Sequence, residues 1–415
     1  MRSPQIAVPL LALAMGCLLY SVGTLADGHR GMSLIALVLV WCGSLIFGRQ
    51  HLDTLPIRSI LIAGIALRWF GFATEPFTSH DGLRYLADGA ALLSGFNPLD
   101  IAYRDLPLEF RNAWPIFIEH QAYTTIYPPI ALSVFAAAAA AGPIYAWWAW
   151  KAAGTMTSCL LMWFLSTALH KNPRLKATFF WVALHPLMVI ETTVMPHIDL
   201  YVLLPVLYWT YASPNISERT TAWVLGLGAL VKPTLLLGSL AWLPKLYERK
   251  WAGPLILGGI SLGVGSALYL GGVQEPLGRD FGTFLSGWHF GSLLDTAVFW
   301  SARPSPLPLR LCVFLLGSTW ILWRSRGGHP FHKVFGDLLI FALMCSPVVF
   351  PWYLIILAGW LIHRENLIVL WWSSSLLTYE VLDPFDIDTT WAPSPWPNAV
   401  TLIILMVWAL SRRPT

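Results

Sequence analysis

Apolar runs long enough to cross a lipid bilayer recur from one end of this chain to the other, and no other feature constrains its fold as strongly. A hydrocarbon core of about 30 Å takes roughly 20 residues of helix. Inside it every backbone N–H and C=O must find a partner within the protein, which leaves helices or closed barrels. The runs are Ile6 to Gly23, Met32 to Phe47, Ile57 to Phe72, Pro143 to Leu169, Ala177 to Thr192, Leu200 to Ala212 and Thr220 to Leu246. Ala252 to Leu270, Leu307 to Trp323, Phe335 to Val349, Trp352 to Ile362, Leu367 to Glu380 and Ala399 to Leu410 follow. The expected fold is all-α, a polytopic integral membrane bundle of about 12–14 helices.

Composition agrees, since 56% hydrophobic and only 12% charged residues leave too little polar surface for 415 residues in water. The net charge of +4 is ordinary for a membrane protein and implies no nucleic-acid partner. Cys17, Cys42, Cys159, Cys312 and Cys345 all sit in apolar runs without metal-ligand spacing and read as small core residues. The start resembles a signal peptide but continues apolar to Gly23 with no small-residue cleavage site, so it reads as a first membrane helix.

Lys and Arg set the orientation. With Arg2 in the cytoplasm, Arg49, Lys171, Arg174, Lys176, Arg219, Lys245, Arg249, Lys250, Arg324, Arg326, Lys333, Arg364, Arg412 and Arg413 fall on that side. This holds if Thr220 to Leu246 dips in and returns, broken at Pro233. The opposite, external side receives the loop Ala73 to Gly142, the loop Gly271 to Pro306 and the acidic "EVLDPFDIDTTWAPSPWPN", with Arg303 and Arg310 as exceptions. Asp383, Asp386 and Asp388 in that last segment read as a solvated loop. The domain reading is one unit over 1–415: N-terminal helices in 1–56, an external loop with interfacial helices in 73–142, and membrane helices in 143–415.

The external loop carries the chemistry. In "FTSHDGLRYLADGAALLSGFNP", Asp81, Arg84, Tyr85 and Asp88 stand at i, i+3, i+4 and i+7 and share one helical face. Gly95 and Pro98 end the helix. On spacing alone this is an amphipathic surface helix with solvated acids and an arginine that meets lipid phosphate. In "IETTVMPHIDLY", Glu191, His197 and Asp199 stand at helix ends, either capping and bonding one another or binding a ligand. His185 reads as a hydrogen-bonded core histidine. Lys232, before Pro233, must reach the interface or meet an anion. Lys151 and Arg68 read as snorkelling cations. Trp288, His289, Pro351, Trp352 and Tyr353 form either an interfacial belt or a sugar-stacking platform.

The strings "HDGLRYLADGAALLSGFNPL", "YTTIYPPIALSVFA", "HPLMVIETTVMPHIDLYVLLPVLY", "ALVKPTLLLGSL" and "SPVVFPWYLIILAGWL" together resemble the polyprenyl-phosphate-dependent glycosyltransferases of the GT-C superfamily. Within it, the bacterial mannosyltransferase-like members of family 87 are the most similar. The resemblance runs from Ile57 to Ile362 and departs at His80, where relatives often carry a second acid, and at Ala87, where many carry Trp. It implies an inverting enzyme of the bacterial cell membrane with an external active site. A polyprenyl-phosphate sugar, mannose by analogy, is the implied donor, and a glycolipid or cell-envelope glycan the acceptor. Asp81 takes the position of the catalytic base. His80, Arg84, Tyr85, Tyr127, Glu191, His197, Asp199, Lys232, His289, Trp352 and Tyr353 are the implied substrate-binding residues. Such a transfer needs a base for the acceptor hydroxyl and a positive charge for the leaving phosphate. Arg84 and Lys232 are the cationic candidates. A divalent cation, Mg or Mn, would use Asp81, His197 and Asp199. No nucleotide-binding fingerprint occurs, consistent with a lipid-linked donor. The alternative class is a transporter or flippase for lipid-linked saccharides, which calls for ionisable pairs inside the bundle. A third is an inactive scaffold of an envelope-assembly complex.

Overall fold

The computed structural model describes residues 4–24, 27–77, 79–116, 121–169, 172–207, 210–211, 217–241, 258–259, 280, 290–299, 307–325, 330–380 and 396–411. Nearly all of the run Ala252 to Leu270, the end of Thr220 to Leu246, Trp288, His289, and the acids Asp383, Asp386 and Asp388 lie outside the described residues.

The described chain is helical throughout, with two isolated β-bridges from Phe290 and Gly291 to Val348. The helices are α1 (Pro4–Thr24), α2 (Asp27–His51), α3 (Ile57–Ala73), α4 (Asp81–Leu93), α5 (Leu108–Ala113), α6 (Pro129–Ala139) and α7 (Ala146–Leu169). Then come α8 (Leu175–Leu184), α9 (Pro186–Val189), α10 (Asp199–Leu207), α11 (Glu218–Ala229), α12 (Leu237–Leu240) and α13 (Leu293–Phe299). The last four are α14 (Leu307–Ser325), α15 (Phe331–Cys345), α16 (Leu361–Ser375) and α17 (Trp396–Ser411). Among the described residues three segments are long and apolar enough to cross a membrane: Ala7–Thr24, Ala146–Leu169 and Pro351–Thr378. The pair Leu175–Leu184 and Pro186–Val194, bent by 62°, makes a fourth if it counts as one span. The remaining expected spans that are described fall on segments that do not combine the necessary length with the necessary hydropathy.

The chain forms two compact units, each from separate stretches of sequence. The first holds Met1–Ser79, Lys151–Leu200 and Phe350–Thr415. In it α1 packs on α2 and α3, α3 packs on α8, and α16 packs on α17. The bend between α8 and α9 follows from Pro186, which has no N–H for the carbonyl of Val182. His185 takes the next donor, its Nδ1 accepting from the N–H of Leu187 at 3.1 Å. That leaves the carbonyls of Val182 and Ala183, and Arg68 of α3 donates to both, through Nη2 to Val182 at 2.7 Å and through Nη1 to Ala183. Its Nε donates to Ser158 Oγ at 3.1 Å. The expectation that Arg68 snorkels is therefore wrong: it is fully buried, a cation on the open carbonyl end of a broken helix. Lys151 departs in the same way. It is buried and its Nζ donates to the Thr74 carbonyl, at the C-terminal cap of α3, at 2.6 Å. His185 is the core histidine expected, with Nε2 3.4 Å from Ser373 Oγ.

The second unit holds His80–Trp150 and Tyr201–Val349. In it α4 packs on α6, α14 on α15, and α12 and α13 on α15. The break expected at Pro233 is present: α11 ends at Ala229, Lys232 is extended, and a 3-10 turn runs Pro233–Leu236. The helix stop expected after α4 is also present. Gly95 has φ +82°, its N–H donates to Leu92 O and that of Phe96 to Ala91 O, the two bonds of a Schellman motif.

The environment of α4 differs from the expectation. A helix lying on the bilayer surface keeps one face wet, whereas α4 is buried over most of its length, from Arg84 to Ala91. One side meets the loop's own core, in which Ala87 and Ala91 pack with Tyr103, Leu106 and Ile116. Another side meets α6 at backbone range, because a Cβ on Gly89 would sit 2.5 Å from the nitrogen of Ala136. The small side chains of "ADGAA" allow that approach.

Candidate functional site

The site is built on α4 and on the extended strap that precedes α6. The strap is held at several points. Its Gln121 carbonyl accepts from Arg104 N at 3.0 Å, and Thr125 N donates to Pro98 O at 2.8 Å. Thr124 gives both its N–H and its hydroxyl to Asp280 Oδ2, at 2.8 and 3.1 Å. The Tyr123 carbonyl accepts from Arg84 Nη2 at 2.7 Å. Arg84 is thus spoken for on two sides, because its Nε also meets Asp88 Oδ1 at 2.8 Å in a buried ion pair. Asp88, noted in the sequence only as sharing the face, is the structural counter-charge of that arginine.

Next to this pair runs a line of oxygens. Tyr127 Oη donates to Tyr85 Oη at 3.2 Å, and Tyr85 Oη donates to Asp81 Oδ2 at 3.4 Å. The Tyr85 ring lies flat on Phe135, centroids 4.5 Å apart and 2° from parallel. Its edges meet Tyr127 and Trp150 at 5.1 and 5.6 Å. With the ring closed in by aromatics, the hydroxyl has one direction to point, toward the first turn of α4. Asp81 and His80 are half-buried, whereas Tyr85 is 1% exposed. The acid and Tyr127, both half-buried, are therefore the two ends of a line whose middle, Tyr85, is closed.

Lys232 belongs to the same unit. Two residues before it, the Leu230 carbonyl accepts from Ile130 N at 3.2 Å, which ties the "ALVKPT" break to the first turn of α6 just after Tyr127. Lys232 itself is half-buried.

The other predicted residues gather in the first unit. Glu191 lies in a π-type turn, Ile190–Val194, that follows α9. Its Oε2 is 2.8 Å from His197 Nδ1, and both side chains are completely buried. The His197 ring stacks on Trp352 at 4.2 Å and 4°, and Trp352 stacks on Phe350 at 4.4 Å. Tyr353 meets Phe350 and Trp352 edge-on. Asp199 opens α10 and is buried. A π-turn, where one extra residue loosens the ladder, is a recurrent feature of functional helices. His289 lies outside the described residues. Among the described residues no three His, Cys, Asp or Glu side chains gather into a group that could hold a metal ion.

The spacing of Arg84 and Asp88 at i, i+4 could have marked their ion pair in the sequence. Asp280, Phe135 and Trp150 carry no such mark, since their partners are far away in the chain. Neither the sequence nor the structure matches a protein-family model, a curated protein or a solved structure.

Proposed function

We propose that the chain is an integral membrane glycosyltransferase of GT-C type, which moves a sugar from a polyprenyl-phosphate donor to a glycolipid or cell-envelope glycan on the outer face of the membrane. In this reading the bundle has about 12–14 helices, and mannose is the sugar by family analogy. The reading rests on the ordered motifs from Ile57 to Ile362 and on the excess of Lys and Arg in the loops opposite α4.

One observation carries it. Asp81 is the half-buried carboxylate at the end of a closed aromatic and hydroxyl line, while the neighbouring Asp88 is taken up by Arg84. A general base must be reachable by the hydroxyl it deprotonates and held by its surroundings. Asp81 takes the acceptor proton as the acceptor oxygen bonds to the anomeric carbon. The bond from that carbon to the phosphate oxygen breaks on the opposite face, and its electron pair leaves with the polyprenyl phosphate. Arg84, held by Asp88 and the Tyr123 carbonyl, and Lys232 are the cations for that phosphate.

Purified protein incubated with radiolabelled polyprenyl-phosphate mannose and an envelope lipid extract yields a labelled lipid product, and Asp81→Asn, at normal expression, cuts its formation to a small residual rate. Equal product from both proteins removes Asp81 from the mechanism.

A second reading, a flippase for lipid-linked saccharides, is favoured by the buried Glu191–His197 pair beside the bent, π-turned segment. It expects no transfer product, movement of labelled lipid across proteoliposome bilayers, and loss of that movement in Glu191→Gln.

A further inference from the structure

Within the transferase reading, on which this inference rests, the side chains beyond Asp81 matter because a carboxylate has two oxygens and only one can take the acceptor's proton. Tyr85 Oη addresses Oδ2 of Asp81 at 3.4 Å, and Tyr127 Oη in turn addresses Tyr85 at 3.2 Å. The order is fixed by packing. Tyr85 lies flat on Phe135 and edge-on to Tyr127 and Trp150, and the last two rings also meet Phe135 edge-on at 5.2 and 5.7 Å. Gly89, four residues after Tyr85 on α4, keeps α6 close enough for Phe135 to reach that ring.

We infer that Tyr85 and Tyr127 are positioning residues for Asp81: together they hold Oδ2 and so fix the carboxylate that takes the proton. Neither tyrosine changes its bonding during transfer. Tyr127, half-buried, is the outer end of the line, and Tyr85, 1% exposed, is its rigid middle. Rings enclosed in this way keep their hydroxyls aimed without an entropy cost at the moment of reaction.

Tyr85→Phe preserves every ring contact and removes the hydroxyl that donates to Asp81 and accepts from Tyr127. In the transfer assay with polyprenyl-phosphate mannose it lowers kcat about tenfold while leaving KM for the donor unchanged, and Tyr127→Phe has a smaller effect of the same kind. In an Asp81→Asn background Tyr85→Phe lowers the residual rate no further, because the atom it positions is gone. An equal loss in both backgrounds, or a change confined to KM, overturns the inference.

A second arm needs no activity. Labelling of Asp81 by a water-soluble carbodiimide with glycine methyl ester at one fixed pH, followed by mass spectrometry of its peptide, changes about fivefold in Tyr85→Phe, the worth of one hydrogen bond. Unchanged labelling overturns the positioning role whether or not the wild-type protein transfers sugar. Altered labelling with no transfer in the wild type keeps the contact and removes the transferase reading instead.

Discussion

Arg84 and Asp88 meet at 2.8 Å, one turn apart on α4, with less than a tenth of either side chain exposed. Two charges taken out of water in this way are costly to separate but not indispensable as a pair. Arg84 also reaches across to the Tyr123 carbonyl, so the pair fastens the strap that carries Tyr127. Stability of α4 and placement of the site therefore depend on the same guanidinium.

Removal of one partner strands the other. Asp88→Ala takes the carboxylate away from the buried Arg84 guanidinium and costs about 3 kcal/mol. The expected result is a lower melting temperature in detergent, read by tryptophan fluorescence, with early aggregation. The double replacement Arg84→Met with Asp88→Leu is milder than Asp88→Ala. If the double variant proves the less stable of the two, the pair contributes more than its mutual neutralisation.

Gly89 tests the close approach of α4 and α6. A methyl group there meets the backbone of Phe135 and Ala136, and backbone cannot swing aside as a side-chain tip can. Gly89→Ala pushes the helices apart at a cost of about 1–3 kcal/mol. It also pulls Phe135 off Tyr85, so transfer falls even where folded protein is recovered. Wild-type activity in a well-folded Gly89→Ala would show that the stacking on Tyr85 is not needed.

The loop core has its own alkaline limit. Burial pushes the Tyr103 phenol above its usual range, and its hydroxyl is shared between the Arg111 and Trp114 carbonyls at 2.9 and 2.7 Å. A group whose proton is held more tightly in the folded state stabilises fully below its unfolded value of about 10. That stabilisation is lost as pH rises through the folded value, because a phenolate cannot donate. Hydrogen exchange of residues 97–116 should therefore accelerate above about pH 10 beyond the intrinsic increase. Tyr103→Phe exchanges faster at neutral pH and lacks the extra alkaline acceleration.

What the sequence made legible was local. The stop after α4 was written in Gly95, the break in "VKPT" in Pro233, and the shared face of Asp81, Arg84, Tyr85 and Asp88 in their spacing; all three follow from backbone rules acting over a few residues. The surroundings of those residues were not legible. Helical spacing says which side chains share a face but not what covers it, and α4 is covered by Tyr103, Leu106 and Ile116 from later in the loop and by α6. Arg68 and Lys151 were read as snorkellers for the same reason. Their partners are carbonyls freed at the ends of other helices, visible only when α3, α7 and α8 are in place. Asp280 escaped notice because nothing near it in the chain announces Thr124.

Arg68 offers a test of that carbonyl accounting. It caps Val182 and Ala183, whose carbonyls are left open because position 186 is proline and the Leu187 N–H goes to His185. Arg68→Met strips both carbonyls of their donors inside an apolar bundle and leaves Ser158 without its Nε contact, a loss of about 3 kcal/mol. Pro186→Ala supplies a new N–H one turn from the Val182 carbonyl. In the Arg68→Met background it recovers part of the lost melting temperature by letting α8 run on more nearly straight. In the wild type it brings no such gain, since Arg68 already occupies that carbonyl. Non-additivity of this sign in a double-mutant cycle is the expected outcome. Strict additivity would mean that the arginine stabilises the bend through its bulk and not through the carbonyls.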